Sequence, residues 1–496
     1  MLDETFTGLP LAALADAALS RARELGASHA DVRIERHLTG RRDVRDSRLE
    51  SSSDDTDLGI SVRVVHDGSW GFAAGITLTT QAAADLAAQA VLIAKVSAPL
   101  NPRPVELAPE PVHTGEWVSS YTTNPFDVPE SDRVGRLVQL SDALKRQSGV
   151  EHTSVACMYV QENKFFANLE GTQTSQQRVR IQADVEAVAV TDDGFFTMRT
   201  VAPPVGRGWE HLTGEGWDYD AEVAELGTHL AELVAAPGVE PGRKDLVISP
   251  TNLWLTIHES VAHGTELDRA LGYEAAYAGT SFATFDKLGS LAYGSPVMNV
   301  TGDRVTEHGL STVGWDDEGV AAQSFDIIRE GTLVGYQLNR QMAQEKGFGR
   351  SNGCAFADSA GHIPLQRMPN VSLRASSEPT TVDDLIGAVD DGLYVVGDKS
   401  WSIDMQRYNF QFTGQRFYRI KNGRLAGQVK DAAYQATTTD FWGSMEAVGG
   451  ASTWLLHGAF NCGKGQPGQV AAVSHGAPTA LFRQVNVLNT DQEGAR

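Results

Sequence analysis

Cysteine is scarce in this chain, with three residues in 496 positions. Three thiols cannot staple a chain of this size into a disulfide framework, and a reducing compartment would leave them available for a metal. Basic runs are missing as well: 63 acidic side chains outweigh 41 lysines and arginines, and the formal net charge is −22. A phosphate backbone would be repelled by that field, so nucleic-acid binding is not expected. No apolar run approaches the length of a bilayer crossing, and Met1-Leu2-Asp3-Glu4-Thr5 is acidic where a leader would be basic and then apolar. A membrane role is therefore not expected, and the cytoplasm is the expected location. Internal repeats and low-complexity tracts are missing too.

What is present reads as an α+β protein long enough for two or three domains with proper cores. Leu11, Leu14, Ala18, Ala22 and Leu25 recur at helical spacing, and Gly26 supplies a stop. Asp31-Val32-Arg33-Ile34-Glu35-Arg36 alternates like a half-buried strand. Ile60–Val65, the Asp67-Gly68 turn and Trp70-Gly71-Phe72 predict a hairpin. Helices are predicted over Gln81–Lys95, Asp132–Lys145 and Asp220–Val234, with long antiparallel strands between Val155 and Val190 around Glu170-Gly171.

Ala236-Pro237-Gly238-Val239-Glu240-Pro241-Gly242 reads as the linker. It divides an N-terminal α+β domain with antiparallel strands, 1–240, from a mainly antiparallel β domain, 241–496. In the second domain Asp245–Ser249 reads as a buried strand. Gly331–Tyr336, Leu393–Gly397 and Gln415–Ile420 read as short strands, the last followed by an Asn422-Gly423 turn. Asp491–Arg496 reads as a frayed tail.

The most informative stretch is His258-Glu259-Ser260-Val261-Ala262-His263. Two neutral imidazoles can ligate one metal while the carboxylate between them handles the proton of an attacking water, which is the logic of a zinc hydrolase. The histidines are five apart instead of four, so a regular helix at roughly 100° per residue would splay them by about 140° instead of about 40°. A single π-type turn would bring them back onto one face. Pro250 and Thr251 resemble a helix start and Gly264 a stop. Read alone, the pattern allows either a metal site or two ordinary histidines.

Other segments bear on that choice: Gly26-Ala27-Ser28-His29-Ala30-Asp31, Leu58-Gly59-Ile60-Ser61-Val62-Arg63-Val64 with Gly68-Ser69-Trp70-Gly71-Phe72-Ala73, Asp316-Asp317-Glu318-Gly319, His362-Ile363-Pro364-Leu365-Gln366-Arg367-Met368-Pro369-Asn370, and Asn461-Cys462-Gly463-Lys464-Gly465-Gln466-Pro467. In this order, around the histidine motif, the chain resembles the TldD/PmbA family of metallopeptidases over nearly its whole length. The resemblance implies zinc held by His258, His263 and Cys462, with Glu259 as the catalytic carboxylate and unfolded or extended peptides as substrates. It also implies a related partner chain without the motif, or a homodimer. Two imidazoles and a thiolate would leave a fourth tetrahedral position for water.

The other chemistry-bearing residues carry weaker expectations. Glu266 and Asp268 are expected to support the ligands or to be solvated. His457 and His475 are either structural or turned towards the site. Asp316, Asp317 and Glu318 read as a turn with solvated carboxylates, and Cys157 and Cys354 as structural thiols. Val448-Gly449-Gly450-Ala451-Ser452 reads as backbone that an extended peptide could pair with. Two other functions compete with a zinc peptidase. One is an adaptor, in keeping with the family's label as a modulator of DNA gyrase; the other is a zinc amidase, which a small closed cavity would favour over an open groove.

Overall fold

The computed structural model describes residues 1–192, 194–465 and 468–494. Gln466, Pro467 and the tail's last two residues lie outside this range; of the tail read as frayed, Asp491–Arg496, the described part falls in the helical turn Thr490–Gly494. Among the described residues two seven-stranded sheets dominate. The first is a largely antiparallel meander centred on His29–Arg45, Arg48–His66, His152–Asn168 and Gln173–Thr191. Its hairpin ends at Asp67 and Gly68, both at positive φ, as a tight two-residue turn between twisted strands requires.

Helices Leu11–Glu24 and Thr80–Ser97 pack on this sheet through an alanine-rich seam, and Glu130–Lys145 and Tyr219–Ala235 build a second core. Thr80–Leu100 is, against expectation, long and apolar enough to cross a membrane. The reason is alanine: Ala83, Ala87, Ala90 and Ala94 let the helix lie close against its neighbours while raising its average hydropathy.

In the second sheet Gly242–Ile248 pairs in parallel with Asp391–Ile403 and antiparallel with Ala480–Asn489. Ala432–Thr437 and Asn409–Lys421 continue the pairing, and Asn409–Lys421 returns to Asp391–Ile403, so five strands close into a ring. The chain leaves this ring at Ser249 and enters the motif helix. Outside the ring lies the hairpin Leu455–Lys464 with Gln469–Ala477, which delivers Cys462. The first sheet meets the 316–318 turn, which precedes strand Ser324–Arg329, along buried ion pairs: Arg63 to Glu318 at 3.1 Å and Lys164 to Asp317 at 2.8 Å.

Two expectations fail here. Asp316, Asp317 and Glu318 are 3, 4 and 2 % exposed, not solvated. The Asp316 carboxylate accepts the amides of Glu318, Val320 and Ala355, and burial together with Glu318 pushes it up to about 7. The backbone of 448–452 is not free for a peptide, because Gly449 donates to Thr479 O, Gly450 to Thr380 O, and Ser376 donates to Gly449 O.

Candidate metal centre

Ser249 caps the motif helix, its hydroxyl accepting from the Thr251 amide, and Pro250 occupies the first turn, where its missing N–H costs nothing. Pro250–Ile257 is buried on every side. Its polar side chains are therefore all bonded: Asn252 donates to Gly397 O and Thr413 O, Trp254 to Asp398, and Thr256 meets the Tyr434 hydroxyl.

The helix then widens. The His263 amide donates to His258 O, five residues back, through a π turn over His258–Ala262. This turn sets the two imidazoles together, with ring centroids 4.7 Å apart. Side chains cap carbonyls in and around it: Tyr293 OH donates to Ser260 O at 2.5 Å, Gln337 to Ala262 O at 2.6 Å, and Ser281 to Gly264 O at 2.6 Å.

His258, His263 and Cys462 bring three ligand atoms within 4.8 Å of one another, all buried. Cys462 Sγ stands 3.6 Å from His263 Nε2. Zinc–sulfur and zinc–nitrogen bonds in a tetrahedral shell separate those two atoms by about 3.6 Å, so the pair already has the spacing of a zinc site.

The tautomers agree with this. His475 Nδ1 lies 2.9 Å from Val371 O, which can only accept, so His475 presents a bare Nε2 to His258 Nδ1 at 2.7 Å. His258 must then donate from Nδ1 and carry its lone pair on Nε2. Glu266 does the same for His263, accepting from Nδ1 at 2.8 Å. Burial pushes His258 well below its usual range, and pushes His263 and His475 down to about 3. Burial also pushes the Cys462 thiol up to about 11, so a bound cation is what would ionise it.

Glu259 lies within the π turn, 5 % exposed, and burial raises its carboxyl while Arg407 opposes the rise. The Arg407 guanidinium is bonded to Glu259 Oε2. Arg407 was not singled out from the sequence: it sits at φ 63° in the hairpin loop after Asp391–Ile403, a place with no motif. Asp404 rigidifies that loop by accepting the amides of Gln406, Tyr408 and Asn409. Lys464, two residues past Cys462, was also missed; it bridges Glu266 at 3.1 Å and Asp268 at 2.7 Å.

The weighed residues separate cleanly. Glu266 and Asp268 are buried supports, not solvated groups. His475 orients His258, while His457 stacks on Trp254 at 4.9 Å and stays out of the ligand set. Cys157 and Cys354 are buried and stand outside the ligand set, and burial pushes both thiols up to about 12.

Known proteins resemble this chain throughout. The PmbA/TldA metallopeptidase C-terminal domain matches residues 241–489, and PmbA/TldA metallopeptidase domain 1 matches 30–94. A metalloprotease of Methanothermobacter thermautotrophicus is 26 % identical over 93 % of this chain and 96 % of its own length. A zinc metalloprotease TldD homolog of Saccharolobus solfataricus is 21 % identical over 95 % of this chain and 98 % of its own.

Among solved structures, a putative modulator of a DNA gyrase from Thermotoga maritima superimposes with a TM-score of 0.75 at 14 % identity, covering 95 % of this chain and 99 % of that one. TldE from Thermococcus kodakarensis gives 0.70 at 16 % identity, covering 95 % and 98 %. These likenesses show the fold. With half of its length matched by one family domain and a second domain matched near its start, the chain belongs to the TldD/PmbA family of metallopeptidases.

Proposed function

We propose that this chain is a zinc-dependent peptidase acting on unfolded or extended peptides. The observation that carries the reading is the convergence of two imidazole Nε2 lone pairs and one thiol around a space beside a carboxylate. Bound zinc would supply Lewis acidity for the scissile carbonyl and for a water. The chain's own residues do the rest. Glu259 accepts the water's proton on its carboxylate and passes it to the leaving amine; burial raises that carboxyl into better reach of a proton-transfer role, and Arg407 favours its ionised form against the burial. His475 and Glu266 hold the two imidazoles in the ligating tautomer.

Peptides are favoured over small amides by an open cleft of about 930 Å³ whose lining includes Ser281, the side chain bonded to Gly264 O just past His263. Leu271, Phe282 and Tyr408 line it, and Gln406 and Tyr408, which flank Arg407, form one wall. A related metal-free chain or a second copy as partner, and a cytoplasmic location, belong to the same proposal.

Glu259→Gln tests it. Zinc per chain should stay unchanged while hydrolysis of an unstructured protein falls by roughly 10²–10⁴-fold, the loss typical of a missing general base. Unchanged hydrolysis would make the carboxylate structural.

A further inference from the structure

Several segments around the metal centre meet at one cavity of about 260 Å³ that none of its ligands lines. Arg63 and Trp70 of the N-terminal hairpin form one side, Glu318 and the 363–366 segment another, and Asp268, Tyr273, Glu274 and Tyr277 the third. The cavity backs onto the metal centre. Asp268, in its wall, bonds Lys464, and Lys464 bonds Glu266, which orients His263.

Three carboxylates and one guanidinium line this space, and two of the carboxylates are satisfied. Asp268 holds Lys464 at 2.7 Å. Glu318 accepts from Arg63 at 3.1 Å and from the Arg340 amide at 2.8 Å. Arg63 is itself neutralised by Asp31 through two bonds of 2.9 and 2.7 Å, and it lies 4.3 Å over the Trp70 ring.

Glu274 is different. It is 5 % exposed, and its Oε2 has no partner among the described residues; across the cavity Gln366 Nε2, an amide donor, has none either. Burial raises its carboxyl, with Lys464 opposing and Asp268 adding to the rise. A buried acceptor without a donor costs on the order of 1–3 kcal/mol, and proteins seldom keep one without a use. Tyr273 and Tyr277, 51 and 53 % exposed beside it, offer ring faces that attract a cation.

We infer that this cavity is a subsite for a cationic group of the substrate peptide, a lysine or arginine side chain or a free α-ammonium, with Glu274 as its acceptor. The inference rests on the peptidase reading for the word substrate; the cation site itself does not. The pocket has the size of one side chain, the Glu274 carboxyl oxygen in its wall lacks a donor, and its ligand would supply that donor.

The zinc-loaded Glu259→Gln protein, which should bind without turnover, allows the test by calorimetry. Extended peptides differing only by lysine or norleucine, each with a free or acetylated N-terminus, are compared with agmatine alone. The lysine peptide should bind roughly ten- to hundredfold tighter than its norleucine twin, the range of a hydrogen bond to a charged group. Adding Glu274→Gln should erase the difference and leave norleucine affinity, zinc content and melting temperature unchanged. A preference for the free over the acetylated terminus, lost with Glu274→Gln, would support the α-ammonium form.

Agmatine binding that depends on Glu274 in a wild-type protein lacking peptidase activity would support the site while sinking the peptidase reading. Equal affinity for all four peptides would overturn the subsite, even if hydrolysis by the wild type stood. The lysine–norleucine comparison needs no Glu274 variant, so a misfolded mutant would not hide the answer.

Discussion

Asp31, Arg63 and Glu318 form one buried polar cluster, and His258, His263 and Cys462 form another, yet they are built on opposite terms. In the first, the polar groups satisfy one another: Arg63 is bonded to both Asp31 and Glu318, His29 and the Arg340 amide complete the two carboxylates, and Asp31 is held down to about 2, burial notwithstanding, with Arg63 the main reason. Nothing further is needed to complete it. In the second, burial drives both imidazoles towards the neutral form and the thiol towards the protonated form, so two imidazole lone pairs and a thiol face one another. A cluster whose members bond one another joins parts of a fold; a cluster of bare donors is a site for an ion.

The sharpest way to break this comparison is to remove one member of each cluster. Arg63→Met would leave Asp31 and Glu318 buried without their cation and should cost about 3–5 kcal/mol in denaturant unfolding, with zinc per folded chain unchanged. Cys462→Ala should do the reverse, losing zinc while the metal-free protein unfolds at nearly the same denaturant concentration. Zinc loss in the first variant, or full zinc retention in the second, would erase the distinction.

A smaller effect concerns orientation. His475 touches only His258 Nδ1 and Val371 O on its two ring nitrogens, so His475→Phe keeps the bulk and removes the acceptor that fixes the ligating tautomer. Zinc affinity, measured against a competing chelator, should drop by roughly 10–100-fold, the usual cost of losing such a support. An unchanged affinity would reduce His475 to packing.

The smallest effect is a slope. Above the range where His258 and His263 hold protons and below about 11, the metal-free site keeps its proton on Cys462, and the metal-bound site does not. Between pH 7 and 9 each zinc taken up should therefore release one proton, and affinity should rise about tenfold per pH unit, flattening as the thiol's own range is approached. Calorimetry in buffers of different ionisation enthalpy measures the release; none at pH 7 would mean a ligand set without the thiol.

The sequence was most legible where the information is local. A spacing of five between His258 and His263 demanded a widened helix, and His263 N does reach His258 O. Asp67-Gly68 and Asn422-Gly423 turn as their left-handed propensities require. Legibility ended where function depends on distant strands. Asp316–Glu318 looked solvated because three adjacent carboxylates normally are; only the fold brings Lys164, Arg63 and three backbone amides to them. Gly449 and Gly450 looked open, and non-local backbone pairs close them. Arg407 lies 148 residues from Glu259 in an ordinary-looking hairpin loop, and no periodicity could have joined the two.

X-ray absorption at the zinc edge of the loaded protein tests the central claim most directly. The account predicts one sulfur at about 2.3 Å together with two imidazole nitrogens at about 2.0 Å, and loss of the sulfur shell in a Cys462→Asp variant reloaded with zinc. A shell of nitrogen and oxygen alone in the wild type would contradict it.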